Sequence, residues 1–198
     1  MVNLTKGQVV NLTKESKSGL TNVFFGAKWG AITHSSLFGF AKRTEDVELD
    51  ASLLIYGSSK SLIDTVYYGH KTSRDGAIKH SGDDRYGGEV DGDNETISID
   101  FSKVASQAQY IVAILNSYTH QKFNEIPYMK LRIYDKNETL CSYDVENNSS
   151  FKGQEAIVLG VFYKEDGTWQ FKADGTLTQE RSIDTISNGS AKRLIQNL

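Results

Sequence analysis

Residues 96–101, Thr-Ile-Ser-Ile-Asp-Phe, alternate polar and apolar side chains with a period of two. Only an extended strand with one buried face turns that pattern into a one-sided apolar surface. The same period recurs from Tyr128 to Tyr134: Tyr128, Lys130, Arg132 and Tyr134 share one face, and Met129, Leu131 and Ile133 the other. Val9–Leu12, Val23–Trp29 and Thr65–Tyr68 are short runs of β-branched, aromatic and other apolar residues, which suit strands. Ala51–Tyr56 is an apolar run bounded by Asp50 and Gly57, and Tyr110–Leu115 is apolar throughout, as expected in the core of a sheet. Asp135–Glu138 reads as a turn before a strand at Thr139-Leu140-Cys141. Ala156–Tyr163 and Thr168–Phe171 flank Glu165-Asp166-Gly167, a hairpin with an Asp-Gly turn.

Helical signal is thin. Ser190–Leu198 is the expected short C-terminal helix, with Ser190 as its cap. Many short strands with regular turn signals predict an all-β chain, a two-sheet β-sandwich with long acidic, glycine-rich loops. The 198 residues fit a single domain over 1–198 that buries its core without disulfides, and no internal repeat or low-complexity linker divides it.

Composition narrows the function classes. The formal net charge is −3, and the basic pairs Lys42-Arg43 and Lys192-Arg193 stand isolated, so no nucleic-acid partner is expected. Cys141 is the sole cysteine, which rules out an intrachain disulfide and a cysteine-based zinc site. Met1–Lys6 lacks the apolar core of a secretion signal, and no apolar run has the length of a membrane span. The expectation is a cytoplasmic protein. The chain carries no HExxH, no Gly-x-Ser-x-Gly, no phosphate-binding loop and no dinucleotide fingerprint. His34, His70, His80 and His120 read as surface or structural groups, with His80, inside the acidic loop, placed to support a ligand. Trp29, Trp169 and most of the tyrosines read as core packing, and Tyr67, Tyr68 and Tyr86 flank the acidic region.

The chemistry concentrates between residues 75 and 95. This stretch holds seven carboxylates, Asp75, Asp83, Asp84, Glu89, Asp91, Asp93 and Glu95, opposed only by Lys79 and Arg85. Gly76, Gly82, Gly87, Gly88 and Gly92 interleave with them, so the backbone can bend tightly. Left bare, each close pair of acids costs from about 1 kcal/mol in bulk water to about 4 kcal/mol at a protein surface. A hard cation removes that cost, and calcium takes six to eight oxygens in a flexible shell. A solvated acidic loop is the competing reading. Against it, Glu48 and Asp50 stand at the head of a predicted strand, two residues apart and therefore on one face. An EF-hand is excluded: with Asp91 at loop position one, Thr96 falls where glycine is needed and Ser102 where glutamate is needed.

These motifs, in this order, resemble the TerD family of tellurium-resistance and stress proteins. The resemblance rests on the Leu4-Thr5-Lys6-Gly7-Gln8 to Asn11-Leu12-Thr13-Lys14 opening, on Gly26-Ala27-Lys28-Trp29, and on Glu48-Leu49-Asp50-Ala51-Ser52. It continues through Ser73-Arg74-Asp75-Gly76, Gly82-Asp83-Asp84, Asp91-Gly92-Asp93-Asn94-Glu95 and Asp100-Phe101-Ser102-Lys103. It is strongest over 1–175, leaving 176–198 as a C-terminal extension. Glu48 stands where the family has aspartate, Asn94 where aspartate is frequent, and residues 86–90 are spaced differently from the commonest pattern. The resemblance implies a β-sandwich that binds one or two calcium ions. The candidate ligands are Glu48, Asp50, Asp75, Asp83, Asp84, Glu89, Asp91, Asp93 and Glu95. The leading expectation is a non-enzymatic module, structured or switched by the metal, whose partners are other proteins of a stress-response complex. The alternatives are a metal-assisted hydrolase acting on a phosphate-containing substrate and a protein whose calcium only staples its loops.

Overall fold

A computed structural model describes residues 2–3, 5–15, 21–35, 42–88, 91–136, 138–145 and 151–198. Among the described residues fourteen strands run in chain order: β1 Val2–Asn3, β2 Val9–Asn11, β3 Asn22–Trp29, β4 Ile32–Ser35, β5 Lys42–Glu45, β6 Leu49–Gly57 and β7 Leu62–Val66, followed by β8 Ile78–His80, β9 Glu95–Asp100, β10 Ala108–Ser117, β11 Met129–Asp135, β12 Glu138–Val145, β13 Ala156–Glu165 and β14 Thr168–Thr178. The α-helices among the described residues are the short α1 Leu12–Glu15, α2 Ile183–Asn188 and α3 Ser190–Gln196, with one 3-10 turn at Phe123–Glu125. Sheet A has the order β1-β12-β11-β3-β9-β8, and sheet B the order β2-β14-β13-β10-β6-β7, while β4 and β5 form a separate hairpin. The described pairings are antiparallel except for β1 with β12.

The expected sandwich is the observed one, and the period of the sequence explains its layers. In β3, Val23, Phe25, Ala27 and Trp29 join the core between the sheets; in β9, Ile97 and Ile99 do the same. The residues between them, such as Thr96 and Ser98, are only partly buried, which is the alternation of a sheet covered on one face. Sheet B differs. All nine residues of β6 are buried. Leu49, Ala51, Leu53 and Ile55 face sheet A. Leu54 and Tyr56 face a second cluster with Val112, Ile114, Ile186, Ala191 and Ile195, so α2 and α3 cover the outer face. Continuous apolar runs in β6 and β10 therefore report a sheet buried on both sides. Trp29 and Trp169 are both core residues, as expected.

Several boundaries move. Leu12 begins α1 instead of ending β2, and Tyr67 and Tyr68 lie beyond β7, where Tyr67 pairs with His70 across a tight turn. The acidic stretch contains a strand, β8, that its glycines and charges concealed. The C-terminal helix starts at Ser190, but Ser190 is not its cap. The Glu180 carboxylate accepts the Ser190 N–H at 2.9 Å and its hydroxyl at 2.6 Å, and so caps the helix from a distance. The helix before it, α2, has Ser182 as N-cap, accepting the Thr185 N–H at 3.2 Å. The Asp-Gly hairpin is as expected: Asp166 and Gly167 have φ of 47° and 76°, the doubly positive pair that a two-residue turn of this hand requires. Among the described residues no helix is long and apolar enough to cross a membrane.

Candidate metal centre

Three segments meet at one edge of sheet B. Strand β7 stops at Val66, which pairs with Leu53, so among the described residues β6 runs on from Leu53 back to Leu49 without a neighbouring strand on that side. The exposed backbone edge at Ala51 is closed by side chains from sheet A. Glu95 Oε2 accepts the Ala51 N–H at 2.8 Å, and His80 Nε2 stands 3.2 Å from the Ala51 carbonyl. His80 Nδ1 accepts the Gly82 N–H at 3.1 Å, which assigns the ring proton to Nε2 and makes it the donor to Ala51. Glu95 Oε1 accepts the Asp84 N–H at 3.2 Å, binding the acidic loop to the start of β9.

Against this frame Asp50, Asp83 and Glu95 each offer a carboxylate oxygen, all within 4.8 Å of one another. Asp50 and Glu95 are buried, with 3% and 1% of their surface exposed. Asp50 Oδ1 and Asp83 Oδ1 are buried and have no hydrogen-bond partner among the described residues. Burial, then the charges of Glu95, Asp83 and Glu48, pushes the Asp50 carboxyl up to about 7. Glu48 beside it is also raised, by burial and then by Asp83. Tyr68 borders the group, its phenol raised by burial and then by Asp50, and its ring stands edge-on to Tyr67 and Tyr118 at 5.3 and 6.0 Å. An orphaned, buried carboxylate oxygen is costly unless a proton or cation meets it. Two such oxygens facing a third carboxylate form a site that fits a hard, oxygen-seeking cation.

The other sequence candidates are placed elsewhere or support this core. Asp84 spends its carboxylate on the loop: Oδ1 accepts the N–H groups of Tyr86 and Gly87 at 2.9 and 3.0 Å, and Oδ2 accepts Asn94 Nδ2 at 2.9 Å. Asn94 also accepts the Trp29 N–H at 2.9 Å. An aspartate at 94 could not donate to Asp84, so this chain's asparagine serves the loop; the sequence marks Asn94 only as a departure from the family's frequent aspartate. Asp75 accepts from Ser73 Oγ, Ala77 N and Ala105 N at 2.6, 3.0 and 2.8 Å, pinning the 73–78 turn. Burial works to raise the Asp75 pKa, but these hydrogen bonds outweigh it and hold it below the usual carboxylate value. Asp93 is not carried to the cluster. It lies over Gly26 on the outer face of sheet A and receives Arg132 Nε at 2.9 and 3.0 Å. Asp91 is exposed and lines the same outer cleft as Asp93. Glu89 lies outside the described residues.

The comparisons with known proteins agree with this architecture. Residues 1–187 match the TerD domain. Tellurium resistance protein TerZ of Serratia marcescens is 31% identical over 198 residues, covering 99% of this chain and 100% of the relative. Tellurium resistance protein TerD of the same organism is 31% identical over 183 residues, covering 88% of this chain and 89% of the relative. Stress response protein SCP2 of Bacillus subtilis (strain 168) is 28% identical, covering 93% and 96%. Among solved structures, SCO6318 of Streptomyces coelicolor A3(2), described as a homologue of the telluride resistance protein TerD, superposes with a TM-score of 0.66 at 16% identity, over 87% of this chain and 98% of that one. With a match over nearly its whole length and tellurium-resistance and stress-response proteins as relatives, this chain belongs to the TerD domain family.

Proposed function

We propose that this chain is a calcium-binding module of the tellurium-resistance and stress-response family, acting in the cytoplasm by metal-dependent docking to other proteins of a stress-response complex and without catalysis of its own. The observation that carries the calcium reading is the pair of buried, unpartnered oxygens, Asp50 Oδ1 and Asp83 Oδ1, beside Glu95. Carboxylate oxygens on a bending, glycine-rich loop suit calcium better than magnesium, which demands a tight octahedron and keeps its water. The non-catalytic reading is supported by the use to which His80 is put. Both of its ring nitrogens are engaged with backbone groups, so it offers the site no free base.

Calorimetric titration of chelator-treated protein tests the metal. Calcium binds, equimolar magnesium competes weakly, and Asp83→Asn weakens calcium by about tenfold or more. Equal affinity for both ions, or tighter zinc binding, counts against it. A screen with chromogenic phosphodiesters tests the second half: calcium-dependent turnover that Asp83→Asn abolishes overturns the non-catalytic reading.

A further inference from the structure

Two more buried oxygens lie next to Asp50, and neither belongs to an acid. Ser52 is fully buried and Asn116 is 7% exposed. Ser52 Oγ and Asn116 Oδ1, like Asp50 Oδ1, have no hydrogen-bond partner among the described residues. The register puts all three together. Asn116 on β10 stands directly opposite Asp50 on β6, and Ser52 follows Asp50 by two residues, opposite Ile114. Strand periodicity places them on the outer face of sheet B, the face on which Leu54, Val112 and Ile114 meet the C-terminal helices. Directly opposed side chains have Cβ atoms about 4.5–5.5 Å apart, and those two residues apart on one strand about 7 Å.

Carboxylate and amide carbonyl oxygens only accept hydrogen bonds. Asp50 Oδ1 and Asn116 Oδ1 therefore cannot satisfy each other; a positive centre beside them satisfies both. We propose that Ser52 and Asn116 are neutral oxygen ligands of the cation held by Asp50, so that the coordination sphere reaches from the acidic loop onto the outer face of sheet B. The proposal rests on the cation reading of the Asp50, Asp83 and Glu95 cluster. With those three carboxylates, the two neutral groups bring the protein donors close to the six to eight oxygens that calcium takes, and add no further repulsion.

Europium(III), a luminescent oxygen-seeking probe, separates the outcomes on the full chain after chelator treatment. Luminescence lifetimes in light and heavy water count the waters left on the bound ion. Ser52→Ala and Asn116→Ala should each admit about one extra water and weaken calcium by about tenfold. Asn116→Asp, which keeps the shape and an oxygen, should hold the wild-type water count even if Asn116→Ala fails to fold. An unchanged count and affinity in Ser52→Ala and Asn116→Ala, with Asp50→Asn still impaired, overturns the proposal and leaves the calcium reading intact. A higher water count in Asn116→Asp overturns the proposal as well. If Asp50→Asn and Asp83→Asn also bind normally, the cation reading itself falls.

Discussion

The Glu95 carboxylate accepts the Ala51 N–H at 2.8 Å, joining the first residue of a strand in one sheet to the main chain of a strand in the other. The contact exists because β7 ends opposite Leu53 and leaves the Ala51 edge unpaired. One carboxylate thus closes a sheet edge and lines the candidate cation site, so a cation bound there would also act on the closure of the sandwich. Removing Glu95 tests both roles. Glu95→Ala leaves two N–H groups, those of Ala51 and Asp84, without their acceptor, at about 1–3 kcal/mol for each that stays buried. Glu95→Gln keeps an acceptor oxygen while losing the charge. In chelator the alanine variant should melt below the glutamine variant, and both should bind calcium weakly. Equal melts would show that the Ala51 bond contributes nothing.

Asp93 provides the contrasting case. Its partner is Arg132, a half-exposed guanidinium on the outer face of sheet A. Asp93→Asn should leave calcium affinity within about twofold and cost about 1 kcal/mol or less, as expected for an ion pair with an exposed member. Asp83→Asn in the same titration should lose about tenfold. Loss of calcium binding in Asp93→Asn would place a cation on the outer face of sheet A instead.

The sheets were legible because the period-two pattern is a direct consequence of burial on one face, as Thr96–Phe101 and Met129–Ile133 show. Within the site, the sequence shows that Glu48 and Asp50 share a face and that the 75–95 loop is acidic. It does not show which acids converge. That depends on which backbone donors reach each carboxylate first: the 73–78 turn takes Asp75, the loop itself takes Asp84, and Arg132, some forty residues away, takes Asp93. The Arg132 contact is long-range and leaves no local trace, and the other two are short turns that in sequence look the same as ligand loops. Ser52 and Asn116 were legible only in part, since the period of β6 puts Ser52 beside Asp50 but the β6–β10 register that brings Asn116 alongside is tertiary.

Gly87 is a point where the loop leaves no room for a side chain. Its φ is +62°, and a Cβ there would lie 2.6 Å from Trp29 Nε1 and 2.8 Å from the Val47 carbonyl. Those two groups are themselves hydrogen-bonded at 2.8 Å. Gly87→Ala must push the loop off the indole or break that bond, and the backbone strain adds to it. A loss of about 1–3 kcal/mol is expected in the calcium-free melt. A melt unchanged from wild type would show that the loop re-seats at no cost.

The raised pKa of Asp50 predicts opposite responses to pH for the protein in chelator and in calcium. Burial and neighbouring acids lift this carboxyl from 3.8 to about 7, so the folded chain keeps a proton that the unfolded chain gives up. Between those values the native state binds more protons than the unfolded state, and stability falls as pH rises. Below the lower value both states are protonated and Asp50 contributes no penalty. The chelated protein should therefore melt progressively lower from about pH 4 to about pH 7 and then level off, as far as Asp50 governs it. Asp50→Asn removes the penalty, so in chelator at pH 8 the variant should melt above the wild type. Calcium should reverse the order. The ion replaces the proton, so affinity rises with pH through the same window, and binding below pH 7 releases a proton that appears as a buffer-dependent heat. At free calcium about 100 times Kd the native state gains roughly 2.7 kcal/mol, equivalent to about 5–11 °C in a chain of this length. Asp50→Asn should gain much less, and sodium at matched ionic strength should do little for either, since screening does not coordinate. Melts of both proteins from pH 5 to 8, in chelator, calcium and sodium, measure all of this. If chelated Asp50→Asn melts below wild type at pH 8, Asp50 is satisfied by something other than a cation, and the metal centre loses its central ligand.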